Sequence, residues 1–423
     1  MSRSRLLVAA FCLLAVLGAC SSGDGSADDA GEGAGTRGLD GADPEDEAGS
    51  ARVPVAALAL SAMVGDVERY WTEAAPEAGL DAYTPVAAER IVAVSDLDDG
   101  LDVRCDGEPI LSQDAADNAF VAPCEEGITV VFDDVGLFPQ LARRFGDVGA
   151  VTTVAHEWGH VIQAQLAGGA DELASLVAEQ QADCFAGSYT AWARDRDLAP
   201  FDTPAGLDLA VGATIESRDE VGSAPDDEEA HGSGFDRVRA FQEGFDRGAA
   251  YCATFPDLPL PITQMEFGSG EDEDSGGNLE LDEAIEALGQ DAADYFAALA
   301  PSVGAPEVDE GGLEDVYDRF GDNAVGLELG LAWAGEAQAA AGETTEGDGP
   351  LLQRACLVGA WLGEDLEAGD EADLALSAGD LDEAILALSQ HGAVRSTPGL
   401  VFEAVASLRL GVTEGLVACR FPA

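Results

Sequence analysis

The sequence predicts an α+β protein in which a lobe with a small sheet and several helices precedes a mainly helical lobe. A β-branched and aromatic run, Gly127–Asp133, follows a turn and is typical of a strand. Long helices are expected around the pair His156 and His160 and in the segments that follow. Part of the first half also recurs in the second half, which predicts two related lobes. We place these lobes at residues 53–255 and 256–423.

The N-terminus has the features of an export signal. A basic start precedes an apolar run, residues 6–17, that is too short to span a bilayer. We expect residues 1–19 to be a lipoprotein signal peptide, because the Leu-Gly-Ala-Cys segment ending at Cys20 resembles the bacterial lipobox, whose cysteine becomes lipid-modified. Residues 20–52 are rich in Gly, Ser and acidic residues and are expected to form a disordered tether. An ordinary secretory signal with an incidental Cys20 is the alternative.

The expected elements of the N-terminal lobe follow in chain order. The strand Gly127–Asp133 belongs to an α+β segment that we expect to end near residue 134. Helices are expected near residues 55–71, 148–166, 174–194 and 235–248. A stretch rich in Gly, Asp and Glu, residues 268–278, is expected to join the two lobes.

The segment His156-Glu157-Trp158-Gly159-His160 predicts a metal site. The chain has only four histidines, and two of them stand four residues apart with Glu157 directly after the first. Positions i and i+4 share one face of a helix, so both imidazoles can bind one Zn²⁺ while Glu157 lies beside the open position of the metal. A helix with two solvated or core histidines is the alternative, and this spacing makes it the weaker one.

A catalytic zinc site needs a third protein ligand and an open position for water. Glu179 and Asp183 lie one helical turn apart on the next expected helix and therefore share a face. Glu179 is the candidate third ligand. Asp183 can accept a hydrogen bond from the far nitrogen of a zinc-bound histidine, which would fix the tautomer of that ring. An ordinary solvated acidic helix face is the alternative in so acidic a chain.

The segments HEWGHVIQ and EQQADCFAG resemble the HExxH plus ExxxD pattern of gluzincins and, more narrowly, the bacterial neutral zinc metallopeptidases. A third similar segment, HGSGFDRVRAF, starts at His231, and the resemblance covers roughly residues 120–252. Gln180 stands where the family usually has Leu, and Gly234 and Ala240 stand where polar and aromatic residues are usual. None of these departures removes a ligand. The resemblance implies a zincin-like catalytic lobe and a zinc metallopeptidase.

The resemblance and the residue types together suggest roles in peptide hydrolysis. Glu157 is expected to take the proton of the attacking water and pass it to the leaving amine. His231 is the candidate donor to the developing oxyanion, with Tyr189 as the weaker alternative, although a surface loop histidine is also an ordinary reading of His231. In gluzincin-like enzymes an edge strand pairs with the extended substrate, and Gly127–Asp133 is the expected counterpart.

The net charge of −62 disfavours nucleic-acid binding. The expected partners are a peptide or protein substrate and a membrane, reached through the lipid anchor at Cys20. We therefore expect an enzyme on the extracytoplasmic face of a bacterial cell membrane.

The alternatives are a catalytically weak or inactive binding or scaffold lipoprotein, whose C-terminal lobe docks a partner, and a zinc hydrolase that acts on cell-wall peptides. The retention of His156, Glu157, His160 and Glu179 together disfavours the scaffold.

An internal repeat relates the two lobes. The Arg-Phe-Gly-Asp segment at residues 144–147 recurs at residues 319–322, and a longer pattern recurs without a gap. Its members Phe235, Val238, Phe241, Gly244, Gly248 and Cys252 correspond to Phe402, Val405, Leu408, Gly411, Gly415 and Cys419. In this register the residues His156, Glu157, His160, Glu179 and Asp183 correspond to Leu331, Ala332, Gly335, Leu351 and Ala355. The C-terminal lobe is therefore expected to be a degenerate helical copy without the metal ligands; unrelated helices of biased composition are the alternative.

The cysteines predict disulfides. With Cys12 in the signal and Cys20 as the anchor, an even number of cysteines remains in an exported chain. Equivalent positions in the repeat select the pairs Cys184–Cys252 and Cys356–Cys419, which leaves Cys105–Cys124 as a local third pair. Zinc binding by these cysteines is not favoured, because the chain has no CxxC spacing.

Overall fold

A computed structural model describes residues 57–95, 101, 103–166, 173–369 and 374–422. The expected signal peptide, the lipidation site Cys20 and the tether lie outside these residues. The described chain is an α+β fold that is mostly helical, with small sheets near its beginning. Among the described helices, none has the length and apolar character needed to cross a membrane.

The main sheet has three strands in the order β1, β5, β4. Strand β5 pairs with β1 in parallel and with β4 antiparallel. A separate two-stranded ribbon is formed by β2 and β3. The strands are β1 (Ile91–Val94), β2 (Arg104–Cys105), β3 (Glu108–Pro109), β4 (Ala119–Cys124) and β5 (Gly127–Asp133).

The expected strand Gly127–Asp133 has the predicted bounds, but its expected position at the edge of the sheet is wrong. It is the central strand, because β4 pairs with one of its sides and β1, which comes earlier in the chain, pairs with the other. The residues from Thr129 to Asp133 are all buried, as is usual for a strand covered on both faces. The outer strands of the sheet are β1 and β4.

Seven α-helices are described in the N-terminal lobe, defined here as residues 57–255; four begin and end within a few residues of the expected positions, and those at residues 137–145, 204–216 and 249–252 were not expected. They are α1 (Ala57–Ala74), α2 (Leu137–Phe145), α3 (Asp147–Gln165), α4 (Ser175–Arg194), α5 (Pro204–Glu216), α6 (Gly234–Arg247) and α7 (Ala249–Cys252). Gly146 separates α2 from α3 with a φ of +59°, a conformation that glycine adopts more readily than other residues.

The C-terminal lobe, defined here as residues 256–422, has no strand among its described residues. Its helices are α8 (Gly270–Ser275), α9 (Leu281–Leu299), α10 (Glu310–Phe320), α11 (Asp322–Ala341), α12 (Asp348–Ala368), α13 (Asp380–Gln390), α14 (Gly392–Arg395) and α15 (Leu400–Glu414). The expected connection at residues 268–278 contains α8, and Asn278 Oδ1 accepts a hydrogen bond from Asp322 N at 2.7 Å. The end of this segment is consequently held at the start of α11.

Each lobe contains a close crossing of two helices. Helix α4 crosses α6 at Gly187 and Gly244, and α12 crosses α15 at Gly359 and Gly411. A Cβ atom at any of these glycines would overlap the backbone of the facing helix. The disulfides Cys184–Cys252 and Cys356–Cys419 join the corresponding segments, and Cys105–Cys124 joins β2 to β4. These are the three pairs expected from the sequence.

The two lobes also share a buried hydrogen-bond relay. In the N-terminal lobe, Gln163 Nε2 donates to Gln181 Oε1 at 3.1 Å, and Gln181 Nε2 donates to Cys252 O at 3.0 Å. In the C-terminal lobe, Gln338 Nε2 donates to Gln353 Oε1 at 2.7 Å, and Gln353 Nε2 donates to Cys419 O at 3.3 Å. All of these residues correspond in the register of the sequence repeat.

The lobes pack on one another through α6 and α15. Arg409 Nε donates to Gln242 Oε1 at 3.1 Å, and both side chains are almost fully buried. Gln242 and Arg409 occupy equivalent positions in the repeat. Contact between equivalent residues is the property of an isologous interface, so the two lobes meet about a local pseudo-twofold axis.

Candidate metal centre

The candidate ligands come from two buried helices that lie in close contact. Helix α3 carries His156 and His160, and α4 carries Glu179. Gly159 allows this contact, because a Cβ atom there would lie only 2.7 Å from the Cα of Ala182 on α4. The glycine between the two histidines therefore brings the carboxylate of α4 to the histidine face of α3.

The three side chains converge on one point. His156 Nε2 lies 3.1 Å from His160 Nε2, and the two Glu179 oxygens lie 3.2 Å from these nitrogens. Ligands held about 2.0–2.2 Å from zinc in a tetrahedron would lie roughly 3.3 Å apart. The spacing and the donor atoms thus fit a metal ion, and His156, His160 and Glu179 are all buried.

Charge interactions within this group are strong. Burial lowers the pKa of His156, but the carboxylates of Asp183 and Glu179 outweigh burial and raise it to about 10. Burial raises the pKa of Glu179, but His160 and His156 outweigh it and hold that pKa well below its usual range. Protons and a metal ion compete for the same imidazole nitrogens, so the carboxylates stabilise positive charge of either kind here.

Hydrogen bonds on the outer nitrogens orient both imidazoles. His156 Nδ1 lies 2.7 Å from Asp183 Oδ1, and His160 Nδ1 lies 2.8 Å from Gln163 Oε1. Gln163 is itself fixed, since its Nε2 donates to Ala178 O at 2.7 Å. With a proton on each Nδ1, both Nε2 atoms present lone pairs to the metal position. Asp183 thus lies where the sequence pattern placed it, whereas Gln163 was not among the expected site residues.

Arg237 on α6 is a further member of the site that the sequence pattern did not identify. Its Nε donates to Asp183 Oδ2 at 3.0 Å, its Nη2 donates to Asp183 Oδ1 at 3.1 Å, and its Nη1 donates to Ser217 O at 2.7 Å. The side chain is fully buried. One signal was available: Arg237 precedes Gly244 by seven residues, or about two helical turns, which places it on the face of α6 that packs on α4.

Glu157 has the environment of a proton acceptor. Both of its carboxylate oxygens are buried, and neither has a hydrogen-bond partner among the described residues. Burial raises the pKa of Glu157, while the neighbouring His156 and His160 oppose the rise. Buried polar atoms are normally paired, and an unpaired carboxylate beside a candidate metal position is ready to receive a water proton.

His231 lies in the loop before α6 and is brought near the metal group. Its Nδ1 lies 3.3 Å from Asp219 Oδ1, and Asp219 also accepts hydrogen bonds from the backbone nitrogens of His231 and Gly232. The charge of His231 is close enough to Glu157 to lower the pKa of that carboxyl. The alternative donor Tyr189 instead contacts an aromatic cluster formed by Tyr70, Trp192 and Phe201.

The C-terminal lobe contains a second buried group that could hold a metal ion, formed by Asp322, Asp380 and Glu383. It lies apart from Leu331, Gly335 and Leu351, which replace the candidate ligands of the N-terminal lobe. Burial and the Asp322 carboxylate raise the pKa of Asp380 to about 8. Because all of the donors are oxygens, the group suits hard cations such as Ca²⁺ or Mg²⁺ better than zinc.

No family model, curated protein or solved structure matches this chain.

Proposed function

We propose that the protein is a zinc-dependent metallopeptidase with a zincin-like N-terminal lobe, similar to the bacterial neutral zinc metallopeptidases. One observation carries the proposal: His156, His160 and Glu179 converge beside the buried and unpaired carboxylate of Glu157. A purely structural cluster would leave no reason for an unpaired carboxylate at this position.

Zinc is the metal that fits this set of donors. Two imidazole nitrogens and one carboxylate match the ligand set of several catalytic zinc sites, in which a fourth position stays open. The outer contacts support the assignment, because a zinc-bound histidine usually donates its other nitrogen to a carboxylate or an amide oxygen. Asp183 and Gln163 fill these two roles for His156 and His160.

The protein residues then have distinct tasks in peptide hydrolysis. When bound, zinc supplies Lewis acidity, which activates water and polarises a peptide carbonyl near neutral pH. Glu157 accepts the proton of the attacking water and later donates it to the leaving amine. His231, held by Asp219, donates a hydrogen bond to the oxygen on which negative charge develops. Arg237 and Asp183 keep the His156 ring in the orientation that binding requires.

The proposed setting is the extracytoplasmic face of a bacterial membrane, with Cys20 as the lipid anchor and a peptide or protein as substrate. The three disulfides support an oxidising compartment. The net charge of −62 further supports a substrate other than nucleic acid.

The test is cleavage of casein by the purified protein before and after treatment with a chelator. We expect cleavage to stop on chelation and to return when Zn²⁺ is added. Calcium or magnesium alone should not restore it, which separates the zinc group from the acidic group of the C-terminal lobe. A zinc-loaded protein that cleaves neither casein nor short peptides would contradict the peptidase assignment.

A further inference from the structure

We propose that the C-terminal lobe positions the metal centre of the N-terminal lobe, and that Asp382 is the residue through which it does so. The inference rests on the proposed function for the identity of the centre. The C-terminal lobe has no counterpart of the candidate zinc ligands, and this inference assigns it a positioning role instead.

Asp382 on α13 caps a helix of the other lobe. Its Oδ2 accepts a hydrogen bond from Gly234 N at 2.9 Å, and its Oδ1 accepts one from Phe235 N at 2.8 Å. These nitrogens belong to the first turn of α6, whose amide groups have no partner within the helix. The carboxylate is buried, and a negative charge at this end of a helix interacts favourably with the helix dipole.

The capped turn leads directly to the metal centre. Arg237 is two residues after Phe235 and holds both oxygens of Asp183. Asp183 in turn lies 2.7 Å from Nδ1 of the ligand His156. A shift of the first turn of α6 would therefore move the guanidinium group that fixes the support of His156.

A second path leads from Asp382 to His231. Arg218 Nε lies 3.5 Å from Asp382 Oδ2, and the next residue, Asp219, accepts the backbone hydrogen bonds of His231. Arg237 also donates to Ser217 O, so the same loop is held from both sides. One carboxylate of the C-terminal lobe thus supports both the orientation of His156 and the loop of the proposed oxyanion donor.

The backbone at this contact leaves little room for displacement. A Cβ atom at Gly234 would lie 3.2 Å from both Asp382 Oδ2 and the side chain of Arg218. The sequence pattern of the resembling family has a polar residue at this position. Glycine at position 234 leaves room for Asp382 of the C-terminal lobe, which covers this end of α6.

The pseudo-twofold axis provides a matched control. Asp208 on α5 makes the reciprocal contact, because its Oδ2 accepts from Gly399 N at 2.6 Å and its Oδ1 from Phe402 N at 2.9 Å. These nitrogens lie at the start of α15, in the lobe without the zinc ligands. Asp208 is nine residues before Ser217, or about 13 Å along a helix. Its removal should weaken the contact between the lobes without reaching the metal centre.

The experiment compares Asp382→Ala, Asp382→Asn and Asp208→Ala in the complete protein. Two measurements are made: zinc affinity by competition with a chelator, and the imidazole ¹⁵N signals of the four histidines in metal-free protein. We expect Asp382→Ala to weaken zinc binding on the order of tenfold. Removing a residue that hydrogen-bonds a metal ligand usually lowers the metal affinity by about 10- to 100-fold, and Asp382 acts through such a residue. The signals of His156 and His231 should shift, while His391 serves as an internal reference in the C-terminal lobe. Asp382→Asn, which keeps one acceptor, should recover most of the affinity.

Asp208→Ala should leave zinc affinity and the His156 and His231 signals unchanged, even where it lowers the melting temperature as much as Asp382→Ala does. Equal effects of the two alanine variants on the metal centre would overturn the proposal, since they would indicate general loosening. Unchanged His156 and His231 signals in Asp382→Ala would also overturn it. Wild-type protein that binds no zinc would instead refute the proposed function, and the imidazole signals would still decide whether Asp382 orients the site.

Discussion

Helices α3 and α4 of the N-terminal lobe correspond to helices α11 and α12 of the C-terminal lobe, but only the first pair carries the candidate metal ligands. Both lobes have the glycine crossing, the disulfide and the glutamine relay, which runs through Gln163 in one lobe and Gln338 in the other. At the centre, His156 corresponds to Leu331 and Arg237 corresponds to Ala404. The features of the helical frame therefore occur in both lobes, whereas the candidate ligands His156, His160 and Glu179 occur in one.

The sheet is the other difference between the lobes. Trp158 is fully buried, stacks on Phe132 of β5 and donates from its indole nitrogen to Tyr83 Oη at 2.8 Å. Its counterpart Trp333 is only half-buried, since the described part of the C-terminal lobe has no strand to cover it. Among the described residues, the sheet therefore occurs in the lobe that carries the candidate metal centre.

The largest expected effect comes from Glu157→Gln. Loss of a general base typically lowers the rate by about 100- to 10,000-fold, and the ligands remain in place, so kcat should fall by this amount while zinc content stays at the wild-type level. Ala332→Glu, at the equivalent position of the C-terminal lobe, should change neither quantity. Steady-state kinetics and metal analysis provide both readings, and near wild-type turnover of Glu157→Gln would show that the base is another group.

The next effect concerns the support of His156. Asp183→Asn should weaken zinc binding by about 10- to 100-fold, because the amide removes the charge that orients and polarises the imidazole. The corresponding residue of the C-terminal lobe, Ala355, can be changed to Asn as a control without effect on zinc. Chelator competition measures both variants. Unaltered affinity in Asp183→Asn would mean that the hydrogen bond at 2.7 Å contributes little to binding.

A smaller and symmetrical effect is expected at the glycine crossings. Gly187→Ala and Gly359→Ala each place a Cβ atom against the backbone of the facing helix. Overpacking of this kind costs about 1–3 kcal/mol in the free energy of unfolding. Chemical denaturation should show similar losses for the two variants, and only Gly187→Ala should also weaken zinc binding. A tolerated change in one lobe would break the proposed equivalence of the crossings.

The acidic group of the C-terminal lobe, Asp322, Asp380 and Glu383, predicts that stability depends on pH. The pKa of Asp380 is raised to about 8, chiefly by burial, so its protonated form stabilises the fold at low pH. That contribution is lost as the pH rises from about 4, where the unfolded chain titrates, through the folded value. Asp380→Asn should therefore flatten the fall in stability between about pH 4 and pH 8, measured by denaturation with chelator present. Parallel curves for the two proteins would contradict this account.

The sequence was most informative where one local pattern determines one element. The His156 and His160 spacing and the turn from Glu179 to Asp183 predicted side chains that the structure brings together, because helical periodicity fixes which residues share a face. The strand Gly127–Asp133 was predicted with its bounds for the same local reason. Its central place in the sheet was not, since that depends on a partner strand from a distant part of the chain.

Contacts between helices were the least predictable part of the site. Arg237 supports Asp183, and Asp382 caps α6, because of the way separate helices cross, and neither role leaves a spacing pattern in the sequence. The acidic group was missed for a similar reason. Asp380 and Glu383 share one helix, but Asp322 joins them only through packing.

The central claim is that the frame occurs twice and the zinc centre once. Zinc analysis of the purified protein after dialysis against a weak chelator tests it most directly, with His156→Ala as the companion variant. We predict one tightly bound zinc ion per wild-type chain and essentially none in His156→Ala. Two tight ions per chain, or one that persists without His156, would contradict the claim.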